Sequence, residues 1–248
     1  MISDVKNWYL IFFVYFGIYK KEFYVLNLKN GLKIKLRTKS TDLQAFANVW
    51  IVKEYDIEGF EINENDVIID IGGHIGLFTL YASLNHANVK IIAIEPHPQN
   101  FSLLMKNLKN NRLDKIITIN KAITKSEKTI NLFLDSLDDA AHSIYRKSGK
   151  SIKIRTTTLG QIIKENQIKK CNLLKMDCEG AEFEIMESLT NEELSKIDKL
   201  CLEYHLEKNE TMYLDHLKTR LKKMNFTVII NPTNSNLGML YAIKQIST

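Results

Sequence analysis

From Val67 onward the chain is a train of short, uninterrupted apolar runs separated by stretches of helical period, and few folds accommodate that pattern. The runs are VIID (67–70), IIAIE (91–95), IITIN (116–120), NLLKMD (172–177) and KLCLEY (199–204), followed by FTVII (226–230) and MLYAI (239–243). Strands that are continuously apolar, rather than alternating, are buried on both faces, as in a parallel sheet covered by helices. The intervening segments 76–85, 98–110, 180–189 and 209–224 carry apolar residues at helical spacing. Between the last two runs lie only Asn231-Pro232 and Asn234 to Gly238. That is too short for a crossover, so an antiparallel pair is expected at the end of the sheet. Residues 121–170 break the rhythm with the polar strands TINLFL and SIKIRTT, which predict extra hairpins or a mobile loop.

The first 58 residues obey different rules. Residues 23–38 alternate apolar and polar side chains on both sides of Asn30-Gly31, a strong hairpin signal. From Thr41 to Tyr55, Leu43, Phe46, Ala47, Trp50 and Ile51 fall on one helical face, with Ser40 or Thr41 as N-cap. Ahead of both lies WYLIFFVYFGIY, residues 8–19, uncharged throughout. A spanning helix needs about 20 such residues, and a signal peptide would have a cationic start and a small-residue cleavage site. The segment is either a helix docked on the domain or an interfacial anchor with aromatic rings at headgroup level and Lys20 and Lys21 on anionic lipid.

Charge supports that division. The net charge is +5, yet residues 1–40 hold eight Lys/Arg and two acids, a surplus of six, so the other 208 residues are nearly neutral. No basic, aromatic-interleaved stripe follows, so a nucleic-acid partner is not expected. Three cysteines without metal-type spacing exclude a disulfide scaffold and point to the cytoplasm, with peripheral membrane contact through residues 1–22 as an option. Nothing in the sequence fixes an oligomeric state.

Three motifs carry chemistry. In VIIDIGGHIG, residues 67–76, Asp70 ends a buried strand, and Gly72, Gly73 and Gly76 open a helix, allowing the backbone to approach a ligand. A dinucleotide fingerprint counted from Gly72 would need glycine where His74 and Leu77 stand, which argues against a nicotinamide-linked oxidoreductase. Glu95 ends the next strand, 19 residues beyond Gly76, where a carboxylate can accept from both hydroxyls of a ribose. Pro96 and Pro98 shape the turn after it. In LLKMDCEGAEFEIMESL, residues 173–189, Asp177, Glu179 and Glu182 crowd the carboxyl edge of the sheet. Lys175 lies on the Asp177 side of the strand, within ion-pairing reach, whereas helix-dipole stabilisation suffices to explain Glu182.

In VIIDIGGHIGLFTLYAS, IEPHPQNFSLLMKNLKNN and the KMDCEGAE box, the chain resembles the FkbM-type family of S-adenosylmethionine-dependent class I methyltransferases, from about Asn30-Gly31 to about His205. His74 departs from the asparagine more usual there. The resemblance implies an α/β Rossmann-like sheet of seven strands, the last antiparallel. Residues 59–248 would then form the S-adenosylmethionine-binding domain, and residues 1–58 an N-terminal hairpin and helix cap. It further implies cofactor binding by Asp70, Gly72, Gly73 and Gly76 around the methionine portion, and by Glu95, followed by Pro96, on the ribose. Asn120 to Ala122, including Lys121, would line the adenine, and Asp177 would stand beside the sulfonium.

The implied reaction is O-methylation of a hydroxyl on a sugar, glycan or other small metabolite; the reading from another class is a non-catalytic nucleoside-binding module, membrane-associated or not. In the implied topology Glu203 and His205 face Asp177 and Glu179. His205, with an ordinary pKa of about 6.5, is the best-placed base. The same cluster could instead hold a divalent cation, although no metal site is assigned. Acceptor contacts are expected from residues 41–58 and from the 135–150 loop with Asp138, Asp139, His142, Tyr145 and Arg146.

Overall fold

The computed structural model describes residues 4–84, 88–134, 150–206 and 211–245. The expected loop residues Asp138, Asp139, His142, Tyr145 and Arg146 lie outside the described residues. A seven-stranded sheet forms the centre, built from β3 (Val67–Ile71), β4 (Lys90–Ile94), β5 (Ile117–Ile119), β9 (Leu173–Met176), β10 (Lys199–His205), β11 (Phe226–Pro232) and β12 (Leu237–Lys244). Their order is β11-β12-β10-β9-β3-β4-β5. The pairs β4–β5, β3–β4, β3–β9 and β9–β10 are parallel, and β12 runs antiparallel to both β10 and β11. The last strand is therefore reversed and inserted one place in from the edge. The sheet thus has the seven strands, the last of them antiparallel, that the resemblance implies.

Alternation within each strand sends neighbouring residues to opposite faces. Ile69, Ile71, Leu174, Met176, Leu200 and Leu202 face a core closed by α5 (Leu159–Glu165), α6 (Glu182–Ser188), α7 (Asn191–Ser195) and α8 (Thr211–Lys223). Ile68, Ile91, Ala93, Leu173 and Tyr241 face α3 (Leu77–Ala82), α4 (Pro98–Asn110) and the N-terminal elements. Both faces are apolar, which is why these runs read as continuous rather than alternating.

The N-terminal elements share that second core. Strands β1 (Phe23–Asn27) and β2 (Lys33–Arg37) pair antiparallel about the Asn30-Gly31 turn, where Gly31 has φ +96° and Leu32 N–H donates to Asn30 Oδ1. Tyr24, Leu26, Ile34 and Leu36 are buried between the hairpin and the sheet's helices. Asn107 of α4 and Asn111, its C-cap, complete the edge of β2. Asn107 accepts from Lys35 N–H at 2.7 Å and donates to Lys35 O and Ile75 O, and Asn111 brackets Lys33 at 2.8 Å in the same way.

The helix expected over 41–55 is α2 (Asp42–Ala47) continued by a π-helical turn, Asn48–Val52. Its start is capped by Ser40, whose Oγ accepts from Asp42 N–H, and not by the Thr41 side chain. The polar strands of the irregular region form a small sheet of β6 (Ala122–Ile123), β8 (Ser151–Thr157) and β7 (Thr129–Phe133). α1 (Tyr9–Tyr15) lies ahead of the hairpin with no fully buried residue.

Candidate active site

At the end of β3 the backbone turns through Gly72, which has φ +75°. A Cβ there would collide with the carbonyl of Asp177 at the end of β9, so this close crossing of two strand ends demands glycine. The N–H groups of Gly72 and Gly73 donate to Ile94 O at 3.0 and 2.9 Å, drawing the turn against the end of β4. His74 follows at φ +48°, and its N–H donates to Glu95 Oε2 at 2.8 Å, while His97 N–H donates to Oε1 at 2.8 Å. Burial pushes the Glu95 carboxyl up to about 7, and these two N–H groups restrain the rise. Asn120 ties β5 to the same corner by donating to Glu95 O and Pro96 O.

Beneath the turn lies a buried cation. Lys175 neighbours Asp70 in the register of β9 and β3. Its Nζ stands 3.3 Å from Asp70 Oδ1 and 4.0 Å from Asp177 Oδ2, and donates to Gly72 O at 2.8 Å. Burial opposes this charge, but Asp70 and Asp177 outweigh it and hold the pKa above the ordinary lysine value. The nearer partner is thus Asp70, not the Asp177 suggested by sequence spacing. Asp70 also accepts from Thr79 Oγ1 at 2.6 Å and is fully buried. Asp70 and Lys175 stiffen the turn from behind.

Across the turn lies a group of acids around one imidazole. The chain after β9 passes through Glu179 (φ +55°) and Gly180 (φ +107°) before entering α6. Glu182 is fully buried and folds back to accept from Cys178 N–H at 2.8 Å and Gly180 N–H at 3.0 Å. Its Oε1 also meets His205 Nδ1 at 3.2 Å, and Glu179 Oε2 lies 3.5 Å from His205 Nε2. Helix-dipole stabilisation therefore understates Glu182, which shapes the loop and orients the histidine.

Burial works against the imidazolium, but the hydrogen bond and charge of Glu182, backed by Glu179 and Asp177, push His205 up to about 9. The acids around it thus favour the imidazolium at neutral pH, above the ordinary histidine value of about 6.5. Burial and the charge of Asp177 push Glu203 up to about 8 against the pull of His205, and burial with Asp177 also raises Glu54. Asp177, Glu179 and His205 each offer a ligand atom within 4.8 Å of the others, a spacing that suits a divalent cation.

These elements surround one cleft of about 680 Å³ at the carboxyl edge of the sheet. Of the residues expected at the cofactor, Gly72, Gly73, Glu95, Pro96, Lys121, Ala122 and Asp177 line it, and Glu179 and His205 line it too. Asp70 and Gly76 stand behind the wall, the latter as N-cap of α3 against Leu104. Gln44, Asn48, Glu54 and Tyr55 form its N-terminal wall. That wall is latched to the glycine turn. Asp42, fully buried, takes two bonds from the Arg37 guanidinium at 2.6 and 3.0 Å, and His74 Nε2 lies 3.1 Å from the same guanidinium. Sequence spacing does not reveal the placement of Glu54, the contact of Glu182 with His205 or this latch, because each depends on contacts between distant segments.

The FkbM methyltransferase domain family matches residues 70–228, from the glycine turn to β11. The chain belongs to this family. Among curated relatives, "Methyltransferase 1" of Beauveria bassiana is 26% identical over 78% of this chain and 86% of its own length. The hexuronic acid methyltransferase AglP of Haloferax volcanii is 26% identical over 66% and 69%. The 31-O-demethyl-FK506 methyltransferase FkbM of Streptomyces tacrolimicus is 22% identical over 73% and 81%. A putative rRNA methylase of Clostridium thermocellum shares the fold, with a TM-score of 0.51 at 11% identity over 86% of this chain and all of that one. The protein is a methyltransferase.

Proposed function

We propose that this methyltransferase moves a methyl group from S-adenosylmethionine to a hydroxyl of a sugar or other small metabolite. The observation that carries the reading is the convergence on one cleft of the Gly72-Gly73 turn, the buried Glu95 carboxyl and the acid-flanked His205. The fit to a cationic nucleoside rests on donor chemistry. Glu95 offers carboxylate oxygens that would accept from paired hydroxyls, Lys121 and Ala122 would flank the base, and Asp177 would set negative charge beside the sulfonium. When bound, this cofactor supplies an activated methyl group.

The chain's own task is to align the acceptor and take its proton. His205 is the base in this reading. Glu182 fixes its Nδ1 side, leaving the Nε2 side toward Glu179 and the cleft, and a positive charge bound beside Asp177 lowers the proton affinity of the imidazole. The acceptor half of the cleft carries Glu54, Asp177, Glu179 and Glu203, which favours an uncharged or amino-bearing hydroxyl compound over an anionic one. The three cysteines are unpaired, in keeping with a reducing cytoplasm.

Titration calorimetry with S-adenosylhomocysteine tests the cofactor half of the reading. One molecule should bind per chain, about 10- to 100-fold more weakly in Glu95→Gln, and equal affinity in both proteins would refute the assignment. His205→Ala should lose about 10²–10⁴ in kcat while keeping that affinity.

A further inference from the structure

Seven large apolar side chains of one short segment lie open to solvent. Trp8, the N-cap of α1, and Tyr9, Phe12 and Phe13 within it are each 44–50% exposed. At its end Tyr15 is 76% exposed, and just beyond it Phe16 is 66% and Ile18 61% exposed. The opposite face, through Ile11 and Val14, packs on the hairpin core together with Tyr19. The helix is thus apolar on every side while covered on one, an arrangement that water alone does not favour.

No acid occurs between Val5 and Lys21, and Lys6, Lys20 and Lys21 are all exposed. Lys20 Nζ donates to Gly17 O at 2.7 Å, which fixes its ammonium at the rim of the aromatic patch. Gly17 itself, at φ +66°, ends the helix and turns the chain back toward the hairpin.

We infer that this face is a membrane-docking surface that seats in the headgroup boundary of an anionic bilayer. Amphipathic tyrosine and tryptophan rings suit that boundary, and lysines beside them suit acidic headgroups. No helix among the described residues is long and apolar enough to cross a membrane, so the segment lies in the interface and does not span it. Pairing with a second copy is disfavoured, because it would bring two sets of Lys6, Lys20 and Lys21 together around the patch. The consequence is that the catalytic cleft works close to a lipid surface, whatever the acceptor.

Flotation with vesicles of phosphatidylcholine, with and without phosphatidylglycerol, tests this using the full chain. The protein should float with the anionic vesicles, with a blue-shifted tryptophan emission that disappears in Trp8→Phe. Phe12→Ser combined with Phe16→Ser should weaken binding at least about 10-fold, and Lys20→Gln or Lys21→Gln about fivefold each. Because these side chains are exposed, the variants should keep the wild-type melting temperature and affinity for S-adenosylhomocysteine. Absence of binding to anionic vesicles, or binding unchanged by the substitutions, would overturn the inference. So would a dimer that dissociates in the Phe12→Ser, Phe16→Ser protein, since a second copy would then be the occupant.

Discussion

Replacing Glu182 by glutamine removes a charge from the site while changing little in shape, and the structure fixes what should follow. The wild-type imidazole of His205 is held at about 9 against an ordinary 6.5, with Glu182 the foremost group raising it. That interval corresponds to about 3 kcal/mol at 1.36 kcal/mol per pH unit. Because the pKa is raised by folding, the stabilisation is fully present below pH 6.5 and is lost as the pH rises through about 9. Without Glu182's charge, only Glu179 and Asp177 oppose burial, and His205 should titrate well below its wild-type value. The decline in stability between pH 6.5 and 9 should shrink with it.

Two-dimensional NMR of the histidine side chains reads this directly, with His205→Gln assigning the resonance and urea unfolding at pH 6.5 and 9.5 measuring the linked stability. A His205 resonance in Glu182→Gln that titrates within about half a pH unit of wild type would refute the assignment of Glu182 as its partner. Glutamine keeps one carbonyl acceptor for the Cys178 or Gly180 amide, so loss of the loop is not the expected route to any change.

Other perturbations have equally definite outcomes. Affinity for S-adenosylhomocysteine should be flat above pH 7 and fall about tenfold per pH unit below it, as Glu95 protonates, and Glu95→Gln should abolish that dependence in calorimetry. Lys175→Met leaves Asp70 buried beside Thr79 alone, which should cost about 3–5 kcal/mol in urea unfolding; adding Asp70→Asn should restore part of it. Asn107→Leu strips partners from Lys35 N–H, Lys35 O and Ile75 O, costing about 2–4 kcal/mol, whereas Asn111→Leu, at a more exposed position, should cost less. If a divalent cation activates the acceptor, chelator should abolish turnover, and unchanged turnover would leave that role to His205.

Most of the scaffold was legible because its signals are local. Continuous runs such as IIAIE announce strands buried on two faces, and Asn30-Gly31 announces a hairpin, without knowledge of any distant residue. Glu95 and His205 were legible for a related reason. Both end a strand, and strand ends in a parallel sheet open onto one edge. What stayed hidden depends on pairings that sequence spacing does not encode. Lys175 looked closest to Asp177 along its own strand, but the register of β9 against β3 sets it beside Asp70. Glu182 read as a helix-dipole acid until the left-handed turn at Glu179 and Gly180 folded it beneath His205. The proton affinity of His205 could not be anticipated either, because it is the balance of burial against three carboxylates supplied by another segment.

The central claim is that this cleft delivers a methyl group to oxygen. Incubating the protein and a cell extract with S-adenosylmethionine carrying a carbon-13 methyl, then recording the carbon chemical shift of the new product, tests it most directly. The account predicts an O-methyl ether in a small molecule or glycan, absent when His205→Ala replaces the wild type. A label recovered on nitrogen or sulfur, or no transfer by a protein that binds S-adenosylhomocysteine, would contradict it.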